Sequence, residues 1–394
     1  MIFRKLIKNS IWICVSLSIV LGSDPNDEQL QYIGKQVFDT KGCGHCHAIN
    51  GNGGKGGPDL GRDEYYGTYL EFASTLWNHF PKMESKMKKE NEKFQEITEE
   101  EMTALVDFLL FMRFTGTEGS IFRGRKLLKS MKCLDCHAVA GEGGNLAPDL
   151  TKHDDYISPI SLIETMWNHG PEMRGLFESN NIKRKTFVKD DFSDLAAAIK
   201  SYRSPTGTVP PDAFKMGSYQ SGQQLINTKG CTQCHDNNNV GIAPSFKDIN
   251  FDFTVVEFAG RLWNHGPKMW DAMEQNNIEV PEFEKQELSD IITYIYRSKL
   301  KDDPGNKRNG YKLLVDKDCM KCHSVNGAGG QVAKKDFAQF DGLNSPISLI
   351  AKMWNHAPNI HKKMDELNID WPKLNSRDMA DLYSYFVELN SPPK

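Results

Sequence analysis

One five-residue string, Cys-x-x-Cys-His, occurs four times in this chain and constrains its fold more than any other feature. It reads Cys43-Gly-His-Cys46-His47, Cys133-Leu-Asp-Cys136-His137, Cys231-Thr-Gln-Cys234-His235 and Cys319-Met-Lys-Cys322-His323. Two thiols three positions apart can add to the two vinyl groups of one haem, and the adjacent imidazole then reaches the iron as axial ligand. The four strings use eight of the nine cysteines. We read four covalent c-type haems, with Cys43, Cys46, Cys133, Cys136, Cys231, Cys234, Cys319 and Cys322 as attachment points. His47, His137, His235 and His323 are the proximal ligands. Other uses of these cysteines fit less well. Two Cys-x-x-Cys pairs already fill a tetrahedral zinc site, and disulfides need no histidine at all, so both leave the four histidines without a role. A redox dithiol of the thioredoxin kind needs a βαβ context, and none surrounds these strings.

Successive haem histidines lie 90, 98 and 88 residues apart, and other features recur in register, so the repeat is a whole domain. A glycine stands nine positions before each first cysteine (Gly34, Gly124, Gly222, Gly310), followed four residues later by Phe38, Leu128, Ile226 or Leu314. That spacing marks one face of a first helix, with the glycine admitting a second helix at close range. A Gly-rich loop follows each haem string and in three copies resolves into Gly57-Pro58-Asp59-Leu60, Ala147-Pro148-Asp149-Leu150 and Ala243-Pro244-Ser245-Phe246. The fourth, Gly329-Gly330-Gln331-Val332, has no proline. An amphipathic middle helix then ends in a second repeated string: Trp77-Asn78-His79, Trp167-Asn168-His169, Trp263-Asn264-His265 and Trp354-Asn355-His356. Pro81, Pro171, Pro267 and Pro358 stand two positions later, and a closing helix completes each unit. No strand run is evident. The expected fold is all-α, four tandem domains at 24–115, 116–205, 206–301 and 302–394, the last divergent. Linkers fall near Thr115-Gly116, from Ser204 to Pro211, and from Asp302 to Gly305.

Residues 1–23 read as an export signal. Arg4, Lys5 and Lys8 precede an apolar run from Ile11 to Leu21, and Gly22-Ser23 supplies small residues for cleavage. The run is short for a bilayer span, so an uncleaved N-terminal anchor is the alternative. Cys14 lies inside the run and is expected to leave with the signal, and the mature chain is expected to be periplasmic or otherwise extracytoplasmic. Over 394 residues the hydrophobic content is 39%, and the mean hydropathy is −0.53. That is lean for such a length, and a porphyrin in each domain supplies apolar core that the sequence need not encode. The formal net charge of −4 gives no basic field for nucleic acid. The Lys82 to Lys93 run reads as a solvated helix face.

The order of first helix, Cys-x-x-Cys-His, Gly/Pro loop, middle helix, distal ligand and closing helix resembles the class I cytochrome c domain, four times over. The resemblance implies one haem per domain and a helix crossing at Gly34 and its counterparts. It also implies that Pro58, Pro148 and Pro244 offer their carbonyls to the second nitrogen of the proximal imidazole. For the sixth ligand the family uses a methionine after the middle helix, which points to Met83, Met173 and Met269, with His356 in the fourth unit, where Ile360 replaces the methionine. The alternatives are His79, His169 and His265, and in the fourth unit His361 and Met364. A proline between histidine and methionine starts a new turn and separates their directions. We take the four tryptophans of the second string to pack on haem.

Closed six-coordinate haems are suited to electron transfer between redox partner proteins, with potentials tuned by axial ligand and burial. The alternative is a haem-dependent reductase or peroxidase with an open fourth haem. Outside the ligands no acid–base constellation is evident, His45 and His153 are lone residues, and no catalytic residue is assigned. Stacking of tandem units into longer arrays is a third, structural possibility.

Overall fold

The computed structural model describes residues 27–61, 67–114, 119–152, 158–203, 217–235, 242–246, 248–249, 253–302, 304–330, 332–333, 335–340, 343 and 345–391. The 1–23 segment with Cys14, and also His153, Gln331 and the linkers at 115–116 and 204–211, lie outside the described residues.

The chain is mostly helical, and one arrangement of helices recurs four times. The first unit holds α1 (Asp27–Thr40), the short α2 (Cys43–Cys46), α3 (Tyr69–Glu90) and α4 (Glu99–Phe114). The second holds α5 (Ile121–Ser130), α6 (Pro159–Asn168), α7 (Gly170–Ser179) and α8 (Asp191–Arg203). The third holds α9 (Tyr219–Thr228), α10 (Val255–Gln275) and α11 (Glu287–Ser298), and the fourth α12 (Lys307–Asp316), α13 (Pro346–Glu366) and α14 (Ser376–Leu389). Each middle helix opens on a reciprocal cap: Thr68 with Glu71, Ser158 with Ser161, Thr254 with Glu257, Ser345 with Ser348. Two otherwise unpaired backbone donors are satisfied at each start.

In every unit the first helix crosses the last at the repeated glycine. A Cβ on Gly34, Gly124, Gly222 or Gly310 would lie 2.1, 1.9, 2.0 or 2.2 Å from the carbonyl oxygen of Ala104, Asp194, Asp290 or Asp381. No larger residue fits between those backbones. In the last three units an aspartate of the closing helix, buried in the second and fourth and half-buried in the third, also accepts the N–H of the residue that caps the first helix. These are Ser120 to Asp194 at 2.6 Å, Ser218 to Asp290 at 2.7 Å and Asn306 to Asp381 at 2.6 Å.

Two local features differ from expectation. Hairpins of two-residue strands follow the first, second and fourth Cys-x-x-Cys-His strings: β1 (Ala48–Ile49) with β2 (Asn52–Gly53), β3 (Ala138–Val139) with β4 (Glu142–Gly143), and β5 (Ser324–Val325) with β6 (Ala328–Gly329). A two-residue ladder has no alternation to read. Also, α3, α10 and α13 run straight through Pro81, Pro267 and Pro358; only the second unit breaks, into α6 and α7 at His169.

The units do not pack in chain order. One hydrophobic core joins the second and third units, through residues such as Trp167, Phe192, Trp263, Trp270 and Ile292. A separate core joins the first and fourth, through Phe38, Trp77, Leu105, Leu314, Ile350 and Phe386. In each pair the two middle helices lie against each other, α3 on α13 and α6 on α10. The pairing is therefore nested, second with third inside first with fourth. Between the pairs, Arg297 of α11 meets the buried carboxylate of Asp107 on α4 at 2.9 Å, and Asp107 also accepts from the Tyr69 hydroxyl at 3.2 Å.

Candidate functional site: four imidazole centres held at two seams

Each Cys-x-x-Cys-His string forms one tight turn. The residue before the first cysteine is left-handed (Gly42 φ 80°, Lys132 φ 67°, Gly230 φ 75°, Asp318 φ 63°), and the histidine N–H closes onto the first cysteine's carbonyl at 2.9 Å in all four. Cysteines at i and i+3 and histidine at i+4 then project from one face. The eight thiols are all unpaired. Burial pushes the thiols of Cys43, Cys133, Cys231 and Cys319 up to about 11, an apolar setting suited to a thioether and ill suited to a thiolate. Among the described residues no three of His, Cys, Asp or Glu converge as a metal site, so no two cysteine pairs come together to build the zinc alternative.

The second nitrogen of the proximal ring is held as the resemblance implies in three units. His47 Nδ1 donates to the Pro58 carbonyl at 3.0 Å, His137 Nδ1 to Pro148 at 2.8 Å and His235 Nδ1 to Pro244 at 2.9 Å. Such a bond fixes the tautomer and leaves Nε2 free for the metal. In the fourth unit His323 Nδ1 is buried and has no partner among the described residues. Its loop keeps the anchor, Ala333 N–H to the Cys322 carbonyl at 2.9 Å, where Gly57 bonds Cys46 at 2.7 Å. Asp336 gathers the Asn326, Gly327 and Ala338 amides just as Asp59 gathers those of Asn50, Gly51 and Gly61. Yet 13 residues separate His323 from Asp336, against 12 from His47 to Asp59. The extra residue and the missing proline come together. Phe337 and Phe246 stack on the proximal rings of their units, at 4.5 and 4.9 Å between centroids.

In the first and fourth units the histidine of the second string lies opposite the proximal one. Ring centroids of His47 and His79 are 6.3 Å apart, and those of His323 and His356 6.0 Å. Two metal–imidazole bonds of about 2 Å, plus ~1 Å from each nitrogen to its ring centre, require a separation of about 6 Å. Burial, then His356, pushes His323 down to about 4, and burial, then His47, lowers His79, which favours the neutral form that can donate a lone pair. Partial desolvation, then His235, lowers His265 in the third unit. His169 donates Nδ1 to the Thr165 carbonyl at 2.9 Å, which keeps its Nε2 unengaged by that bond.

The methionines lie one turn further on. Met173 and Met269 pack against the core shared by the second and third units, and Ile360, in the same register, against the core of the first and fourth. Met83 is half-buried on α3, and Met364 is buried on α13. His361 lies in the seam, Nδ1 at 2.6 Å from Glu84, between the rings of Phe80 and Trp371. His45 meets Glu92 at the surface, at 3.0 Å.

The Trp-Asn-His strings build the seams themselves, a role that nothing in one unit's sequence signals. Asn78 Nδ2 donates to the Leu374 carbonyl at 2.6 Å, and its oxygen accepts the Leu374 N–H at 3.0 Å. Asn355 does the same with Ile97 at 2.8 and 2.9 Å, Asn168 with Phe283 at 2.7 and 2.8 Å, and Asn264 with Phe187 at 2.8 and 2.9 Å. Each asparagine thus pairs like a strand with the opposite unit. The tryptophans follow: Trp77 donates to the Pro372 carbonyl at 2.8 Å, Trp167 to Pro281 at 2.8 Å and Trp354 to Gln95 at 3.0 Å. Their rings stack on the opposite unit, Trp77 on Trp371 at 4.1 Å and Trp354 on Phe94 at 5.1 Å, while Arg184 lies 4.0 Å over Trp263. The helix prolines explain two further bonds. Pro81 and Pro267 leave the Trp77 and Trp263 carbonyls without their helical donor. Trp371 Nε1 supplies the first at 3.1 Å and the Arg184 guanidinium the second at 2.5 Å, both from across the seam.

The family described as Cytochrome c matches residues 32–112 and 308–390, which are the first and fourth units that share one core. No curated protein and no solved structure matches the chain. The match supports cytochrome c-like domains at residues 32–112 and 308–390 and a haem c-type electron-transfer protein.

Proposed function

We propose that the chain is an extracytoplasmic cytochrome with four covalent c-type haems, one per unit, which passes electrons between redox partner proteins. When bound, each haem supplies a one-electron ferric/ferrous couple. The eight cysteines tether it, and His47, His137, His235 and His323 hold it from the proximal side. For the distal side the reading takes His79, His265 and His356, and His169 by register, in place of Met83, Met173 and Met269. The observation that carries this is the facing of His47 with His79 and His323 with His356 at 6.3 and 6.0 Å. A ligand at both faces leaves no position for a substrate, which favours a carrier over the reductase alternative. The export signal at 1–23 accompanies this reading, since its charge and apolar pattern are those of secreted chains. Among the described residues no helix is long and apolar enough to cross a membrane.

Two measurements test it together. A pyridine haemochrome assay is expected to give four haems per chain, and a value near two would confine haem to the matched regions. Near-infrared magnetic circular dichroism of the ferric protein is expected to give His/His bands alone. His/Met bands would return the distal role to the methionines, and a high-spin band would favour the enzymatic alternative.

A further inference from the structure

We propose that the asparagine of each Trp-Asn-His string is a positioning residue for the histidine beside it. The sixth ligand of each haem would then be set by two units, the one that carries it and the one across the seam. This rests on the reading of those histidines as distal ligands.

Neighbouring residues on a helix point about 100° apart, so where the asparagine points decides where the histidine points. Asn78 is clamped to both the N–H and the carbonyl of Leu374 in the fourth unit while His79 faces His47 in its own. Asn355 is clamped to Ile97 of the first unit while His356 faces His323. The two clamps are reciprocal, and the Asn168 to Phe283 and Asn264 to Phe187 clamps repeat them in the other pair. The helix alone is a poor mount at this point, because a proline two residues beyond the histidine removes the backbone bond to the tryptophan carbonyl. In the first and third units the replacement donor also comes from across the seam, from Trp371 and Arg184. Lys373 adds a bond to the Asn78 carbonyl at 2.9 Å. The three residues that end in the ligand are thus held mainly by the opposite unit. Loosening the clamp frees the rotation of the ligand's helix turn.

The test uses the full-length, haem-loaded protein and its Asn355→Ala and Asn355→Asp variants. Ferric electron paramagnetic resonance, near-infrared magnetic circular dichroism and thermal unfolding are recorded for each. In Asn355→Ala one of the low-spin ferric signals is expected to change its g values or turn high-spin, with the others unchanged and haem content as in the parent. Asn355→Asp keeps the acceptor for the Ile97 N–H but loses the donor, and a smaller shift of the same signal is expected. If the seam melts at lower temperature while every ferric signal stays as in the parent, the asparagine is only a structural clamp and the proposal is overturned. Should Asn355→Ala not accumulate, Asn264→Ala asks the same question in the other seam, where the third unit's signal is the one expected to move. A parent protein without His/His bands refutes the ligand assignment itself, a failure visible before any variant is made.

Discussion

Asn78 and Leu374 lie 296 positions apart in the chain, yet the side-chain amide of the first pairs with both backbone groups of the second, at 2.6 and 3.0 Å. Asn355 and Ile97 close the same seam from the other side. Two seams result, and they share no core. Removing an asparagine strands a backbone donor and acceptor, at a cost of about 2–4 kcal/mol. The Asn78→Ala and Asn355→Ala changes are expected to be non-additive together, since they act on one seam. Asn78→Ala and Asn168→Ala act on different seams and should add. Calorimetry of the single and double variants distinguishes nested pairing from pairing of units in chain order.

The helix crossings give a sharper contrast. Gly34→Ala would place a Cβ 2.1 Å from the Ala104 carbonyl, and a loss of about 3 kcal/mol is expected from forcing the helices apart. Gly175, inside α7, has nothing within 4 Å, so Gly175→Ala is expected to gain about 0.5–1 kcal/mol. Equal thermal shifts for the two would refute the close-approach account.

Trp371 both stacks on Trp77 and donates to the carbonyl that Pro81 leaves open. Trp371→Phe keeps an aromatic ring there and removes the donor, at an expected cost of about 1–3 kcal/mol. Restoring the helical donor with Pro81→Ala in the same chain should recover part of it. No recovery would mean that the indole acts through packing alone.

Asp149 organises the second Gly/Pro loop. Burial tends to raise its pKa, but hydrogen bonds from the Thr151 hydroxyl and amide and from the Gly141 amide outweigh this and hold it down at about 2, against an ordinary 3.8. A carboxylate with a depressed folded pKa adds stability that is complete above 3.8 and lost as pH falls toward 2. Asp149→Asn should flatten that part of the stability profile. An unchanged acid limb, followed by Soret absorbance, would assign the acid transition to other groups.

His323 lacks the Nδ1 acceptor that its three counterparts have among the described residues. Such a bond raises the basicity of a metal-bound imidazole and favours the ferric state, so on the four-haem proposal a fourth haem held without it is expected to have the highest potential of the set. In a spectroelectrochemical titration, His356→Ala should then remove or move the highest-potential component. If the lowest one moves instead, the proximal hydrogen bond does not order the potentials.

Much of a single unit was legible in its residues. Cys-x-x-Cys-His fixes a turn whose three side chains share a face, because spacings of three and four positions always do so on a helix. Gly34 and its counterparts announce a backbone approach that excludes a Cβ, and Pro58, Pro148 and Pro244 mark the carbonyls under the proximal rings. The proline-less fourth loop was also visible, although its extra residue emerges only when Asp336 is aligned with Asp59 by their shared hydrogen bonds.

What the chain could not reveal in one dimension is which unit touches which. Pairing of the first with the fourth and of the second with the third depends on the surfaces of folded helices, and no local spacing encodes it. The seam role of the asparagine in each Trp-Asn-His string could not be read locally because the partners, Leu374, Phe283, Phe187 and Ile97, lie from 77 to 296 positions away. The same applies to the prolines after them. Read locally, Pro81 and Pro267 end a helix, but Trp371 and Arg184 satisfy the exposed carbonyls from the opposite unit and the helix continues. The sequence alone therefore determined the Cys-x-x-Cys-His turns and the helix crossings, which are short-range chemistry. Tertiary packing decided the seams, because the partners that close them are brought together only by the folded surfaces of different units.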